Sequence, residues 1–246
     1  MLSTSLWSRL AAASCACVLA ASAHAQAPVL GLSVSAGSIS ENASLIANST
    51  TSSGTGFYFG SLSGSTSGLV HVWNVNYNVL AASSSTTGSM SGSLTVQNLT
   101  SGELTFIMSL SLPTAAALNM TGLYNGSISG SLTTTGAGYL VSSDTNPLWG
   151  SSSQATAITS MFAAPVNISR TSSGTTSLGS QTFGGSQPSF AAPLFGTDVT
   201  VSLRFRLSAN SSATFSTAIG GVGTVPAPGA IALFGAFGLV PRRRRR

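Results

Sequence analysis

Behind its N-terminal leader the chain holds one histidine, His71, and neither cysteine nor lysine. Its acids are Glu41, Glu103, Asp144 and Asp198. A serine nucleophile would need His71 joined to Asp144 or Asp198, because the base must itself be oriented by a carboxylate. The Gly-Ser-x-Ser-Gly segments, such as Gly88 to Gly92, put an apolar residue where a nucleophile elbow carries its serine. Zinc needs several nitrogen, sulfur or carboxylate ligands at close spacing, and calcium a run of alternating oxygen ligands. Neither pattern occurs. Any four acids could be folded into a carboxylate pair for glycoside hydrolysis, so that pattern selects nothing. The residues read as a chain without catalytic residues, metal or cofactor, and not as an enzyme.

A binding surface is the stronger chemical candidate. From His71 to Val79 the aromatic and aliphatic residues Trp73, Val75, Tyr77 and Val79 alternate with Asn74, Asn76 and Asn78. Two readings share this pattern. Trp73 and Tyr77 could offer ring faces to a sugar beside asparagines that both donate and accept hydrogen bonds. Alternatively, the two rings face a core and the asparagines face water, which is what strict alternation implies for a half-buried strand.

The same period of two recurs along the chain. Leu104, Phe106, Met108, Leu110 and Leu112 share one face of a second strand, and Val199, Val201, Leu203, Phe205 and Leu207 share one face of a third. Shorter runs over 29–34, 56–62, 91–99, 126–133, 139–142 and 213–219 read as further strands. Asn98 to Glu103 reads as a hairpin connection. Ser151 to Phe162 is the one segment with helical spacing, through Ala155, Ile158, Met161 and Phe162. A single sheet would leave half of these apolar faces wet, so the expected fold is all-β: an antiparallel β-sandwich, jelly-roll-like. Gly88 to Thr95 echoes Gly126 to Thr133, and Gly60 to Gly64 repeats part of it. Unequal spacing argues against a solenoid; shared strand chemistry and chance both remain open. Asn-x-Ser/Thr triplets occur at Asn42, Asn48, Asn98, Asn119, Asn125, Asn167 and Asn210, as so much serine and threonine makes expected.

The formal net charge of +5 does not describe this body. Every basic residue is arginine. Arg9 lies in the leader and Arg242 to Arg246 close the chain, which leaves Arg170, Arg204 and Arg206 against the four acids. A body near neutrality has no basic patch for phosphates, so nucleic acid is excluded as a partner. Residues 1–25 have the pattern of a secretory signal: Arg9, an apolar stretch from Leu10 to Ala20, and small residues at Ala23 and Ala25 for signal peptidase. Cys15 and Cys17 fall inside that leader, so the exported body must fold without disulfides.

The other end carries Val225-Pro226-Ala227-Pro228, the small apolar run Gly229 to Val240, and Arg242, Arg243, Arg244, Arg245 and Arg246. As a helix the run spans about 18 Å, at roughly 1.5 Å per residue. That is short of the bilayer's apolar core of about 30 Å. A short transmembrane helix reaching from Val225 to the snorkelling arginines comes closer, and the arginines would stay cytoplasmic. This order of parts resembles the PEP-CTERM sorting signal: a Val-Pro-Glu-Pro-type motif, an apolar helix and an arginine cluster. Ala227 stands where that signal has glutamate.

The resemblance implies export, retention in the inner membrane, and processing by an exosortase-type sorting enzyme. It also implies delivery to the cell surface or beyond, with exopolysaccharide as a further partner. Gly220-Gly221 is similar to a GlyGly-CTERM signal, but Pro226 and Pro228 intervene before the apolar run. The expected organisation is a signal peptide over 1–25, a β-sandwich over 26–223 and a sorting signal over 224–246. The expected function is that of an exported, non-enzymatic surface or matrix protein. The alternative is a carbohydrate-binding module associated with exopolysaccharide.

Overall fold

Alternation of apolar with serine, threonine or asparagine residues governs almost every element of the computed structural model, which describes residues 26–67, 70–115 and 120–224. The first half of the chain forms β1 (Leu30–Ala36), β2 (Ile39–Leu45), β3 (Ser49–Thr50), β4 (Gly56–Ser65), β5 (His71–Ser83), β6 (Thr87–Asn98), β7 (Leu104–Pro113) and β8 (Met120–Thr134). The second half forms β9 (Gly138–Ser142), β10 (Trp149–Ser153), β11 (Thr156–Met161), β12 (Asn167–Arg170), β13 (Gly174–Phe183), β14 (Phe190–Phe195), β15 (Asp198–Leu207) and β16 (Ser211–Thr224). These strands make two antiparallel sheets. The first runs β11-β10-β15-β7-β1-β2, with β9 following β10 along the same edge of β15 and β12 beyond β9. The second runs β13-β8-β16-β6-β5-β4-β3, with β14 beside the start of β8.

The sheets pack face to face around one apolar core. Phe106 and Phe205 are cross-strand partners in the first sheet, stacked with ring centroids 5.3 Å apart. Phe215 of the second sheet meets Phe205 at 5.0 Å. Beside them the buried Trp149 of β10 donates its indole N–H to Thr217 Oγ1 of β16 at 2.9 Å, a polar bond made between the sheets. Aromatic rings also lie over glycines of neighbouring strands. Trp73 covers its partner Gly64, and Phe215 lies against its partner Gly130, so a side chain at Gly64 would collide with the indole and one at Gly130 would crowd the phenyl ring.

Chain crossings at one end of the sandwich depend on Asn98. Its Nδ2 donates to the carbonyls of Gly102, Leu207 and Ser208 at 2.7, 3.0 and 3.1 Å. Its Oδ1 accepts from Thr100 N and Oγ1. One buried amide thereby ties the β6–β7 corner to the β15–β16 corner. Gly138, at the start of β9, fits against Ser208, Ser211 and Thr134 with no room for a Cβ.

Two expectations need correction. Residues 98–103 are not a hairpin loop: β6 and β7 lie in different sheets, and Asn98 at the corner also bonds across to Leu207 of the first sheet. Residues 151–162 are not a helix but the β10–β11 hairpin, turning at Gln154 and Ala155 with φ of 47° and 62°. Serine and threonine favour competing side-chain bonds over helix. Here Ser153 Oγ donates to Asp198 O and accepts from Gly196 N, while Asp198 Oδ1 accepts from Gln154 N. Strands from β6 onward cross repeatedly between the sheets, so that β6, β16, β8 and β13 lie side by side in one and β7, β15, β10 and β11 in the other, while β1–β2 and β3 to β5 extend the edges of the two sheets as hairpins. No helix among the described residues is long and apolar enough to cross a membrane, and the expected transmembrane helix over 229–240 lies outside them.

Replacing Asn98 by Ala leaves three carbonyls and an amide without their partner. It is expected to lower the stability of the fold by about 2–4 kcal/mol, read from urea midpoints. Burial also raises the phenols of Tyr58 and Tyr124, which donate to Pro28 O and to Leu194 O. A folded-state value raised above the ordinary 10.0 contributes stability that is complete below that pH and lost as pH climbs through the folded value. Denaturant midpoints are therefore expected to hold steady from neutrality to about pH 9 and then fall. Tyr58→Phe should fall less steeply, after an initial loss of about 1 kcal/mol for the missing hydrogen bond.

Candidate binding face

Charge is divided unequally between the two sheets. Every described arginine and carboxylate lies in the first sheet or in a loop: Glu41 on β2, Arg170 on β12, Asp198, Arg204 and Arg206 on β15, Glu103 and Asp144 outside strands. The strands of the second sheet carry no charged side chain, their one titratable base being His71 at the start of β5. His71 is exposed, with Nδ1 at 2.9 Å from Ser65 Oγ. Asp198 is occupied with the β10–β11 turn of the other sheet, so the conceivable His71–Asp198 pair is not assembled. No group of three His, Cys, Asp or Glu side chains stands together among the described residues. Tyr139 Oη donates to Glu103 Oε2 at 2.7 Å, and that bond raises its phenol. Arg206 adds an exposed pair to the same carboxylate at 3.4 Å.

The outer face of the second sheet is a lattice of uncharged polar groups. Register aligns Phe59, Asn78, Ser93, Ser216, Ser129 and Ser180 in one row across six strands. The next row is Ser61, Asn76, Thr95, Thr214, Ser131 and Ser177. Neighbouring hydroxyls bond to one another: Thr95 with Thr214 at 3.1 Å, Thr133 with Thr175 at 2.9 Å. The Gly88–Thr95 and Gly126–Thr133 echo now has a structural place. The two segments lie in β6 and β8, on either side of β16, and both turn their serines and threonines outward. Small side chains over β6, β16 and β8 leave a shallow trough of about 350 Å³ lined by serines and Ala218.

At the β4 side of this lattice stand three exposed apolar residues, Phe57, Phe59 and Leu80. Phe57 pairs with Leu80, and Phe59 pairs with Asn78. The asparagine row is therefore beside aromatic rings, but not those expected from the sequence. Trp73 is completely buried and presents no ring face to a ligand; Tyr77 is half-buried and packs on the core over Gly60. Both occupy the opposite face from Asn74, Asn76 and Asn78 because β5 remains extended and regular between them. Phe57 and Phe59 were not singled out because their register against β5 is not visible in either strand alone. The alternation Phe57-Tyr58-Phe59, with a polar row known on one neighbour, was the available signal.

Asn98, one of the seven triplet asparagines, has its amide committed inside the fold. Asn42, Asn48, Asn167 and Asn210 are exposed. Signal-cleavage residues Ala23 and Ala25, motif residues Val225, Pro226, Ala227 and Pro228, and the cluster Arg242 to Arg246 lie outside the described residues.

No protein-family model matches the chain, and no curated protein matches it. A solved structure, TmCBM61 in complex with beta-1,4-galactotriose, has a fold likeness to it with 7% sequence identity. That likeness covers 51% of this chain and 69% of the other, with a TM-score of 0.26. A likeness of that degree assigns no ligand to this chain.

The two sets of aromatics should respond oppositely to truncation. Trp73→Ala is expected to lose about 3–5 kcal/mol of stability, as a buried ring does. The Phe57→Ser/Phe59→Ser pair should change the denaturant midpoint little, by less than about 1 kcal/mol.

Proposed function

We propose that this chain is an exported, non-enzymatic cell-surface or extracellular-matrix protein. It is held in the inner membrane through its C-terminal segment and processed there by an exosortase-type enzyme. One observation carries the reading: the order of Val225-Pro226-Ala227-Pro228, the apolar run and Arg242 to Arg246, in a chain that also begins with a secretory-type leader. The body is consistent with that destination. It folds around an apolar core without cysteine, as a domain built for export without disulfide formation would, and its surface is dominated by hydroxyls and amides.

A second reading, a carbohydrate-binding module acting at the same location, is favoured by the asparagine row standing beside exposed Phe57 and Phe59.

Mass spectrometry of the chain recovered from its own host is expected to find a mature C-terminus close to Val225–Pro228 and no Arg242 to Arg246. Intact arginines on every molecule would refute processing, and a cytoplasmic pool carrying the uncut leader would refute export.

A further inference from the structure

We propose that the outer face of the second sheet binds a neutral, extended polysaccharide laid across the strands. In this arrangement Phe57 and Phe59 meet the C–H faces of its sugar rings, and Asn76 and Asn78 bond its hydroxyls. The proposal deepens the carbohydrate reading above by naming the surface, the contacts and the class of ligand.

Three features of the face select that ligand. Its strands hold no charged side chain, while the described charges gather on the other sheet and the loops, so an anionic polymer finds nothing to pair with. Amides and hydroxyls that both donate and accept match a ligand whose polar groups are hydroxyls and ether oxygens. Exposed phenyl rings contribute the apolar contact that a hydroxyl surface alone lacks, since water competes for every hydroxyl–hydroxyl bond.

The geometry also sets the ligand's length. The row from Phe59 to Ser180 crosses six strands, which at about 4.8 Å between strands gives a track of roughly 24 Å. The trough over β6, β16 and β8 is open and does not enclose a single sugar. Each ring or amide contributes weakly, so affinity accumulates along a chain and a monosaccharide gains almost none of it. The hydroxyl pairs Thr95–Thr214 and Thr133–Thr175 hold their groups in fixed orientation, which lowers the ordering penalty for a repeating ligand.

The test is co-sedimentation of the purified full chain with insoluble cellulose and with agarose, both neutral, and with calcium alginate, which is acidic. Retention is expected on at least one neutral polymer, unchanged in high salt and not displaced by excess free glucose or galactose. Phe57→Ala/Phe59→Ala should weaken it about tenfold, and Asn76→Ala/Asn78→Ala should weaken it in the same direction. Thermal melts of both variants confirm that they fold.

Three outcomes overturn the proposal: no retention on either neutral polymer, salt-sensitive retention on alginate alone, or folded variants that bind like the parent. Self-association through Phe57 and Phe59, seen as a dimer in sedimentation velocity that the double variant abolishes, also overturns it. None of these bears on export or C-terminal processing, which are read from cell fractions and from the mature terminus.

Discussion

The two sheets have no disulfide to join them and almost no charge, so the protein depends on the apolar contact made across the gap between them. Phe205 occupies its middle, stacked on Phe106 in its own sheet and set against Phe215 of the other. Trp149 fills the space beside them and ends in a hydrogen bond to Thr217, so its one polar atom costs nothing in burial. Trp73, by contrast, buries its indole N–H with no partner at all. Packing over Gly64 evidently outweighs an unmet donor at that position.

Asn98 solves the other problem of a sandwich, which is how the chain changes sheets. A corner exposes carbonyls that no ladder can satisfy, and burial makes each of them expensive. A single primary amide shares its two N–H donors among three of them, and its oxygen caps the turn that follows. The same element explains why a serine-rich, disulfide-free chain folds to one arrangement: the crossings are specified by side-chain chemistry and not only by the sequence's apolar period.

Segregation of charge follows from this economy. The second sheet is held by long strands, β8 and β16, whose outward positions need only avoid the core. Filling those positions with serine, threonine and asparagine keeps the face soluble without charge and keeps it flat. The first sheet carries the described arginines and two of the four acids, with the Glu103–Arg206 pair at its corner. An uncharged, regular face on one side and a charged one on the other is an arrangement that composition cannot express, because the totals are the same however they are distributed.

Most strands were legible because a half-buried strand writes its burial into a period of two. β5, β7 and β15 follow that period almost residue by residue. The β10–β11 hairpin was illegible because its inward positions include Ser151 and Ser153, which look polar in the sequence but are buried with their hydroxyls bonded to Thr159 O and Asp198 O of neighbouring strands. The 98–103 corner looked like a hairpin because local turn residues are the same whether the next strand joins its neighbour or the opposite sheet. In the candidate face, the asparagines were visible and their aromatic companions were not.

The sequence by itself determined the all-β class, most of the strand faces, the absence of cysteine behind the leader, and the concentration of arginine towards the chain's ends. All of these depend on residue type and spacing within one segment. Tertiary structure alone decided which strands are neighbours, that Phe57 and Phe59 share a face with the asparagine row while Trp73 does not, and that one sheet is free of charge. Those are consequences of register between segments far apart in the chain, and register is set by the packed core.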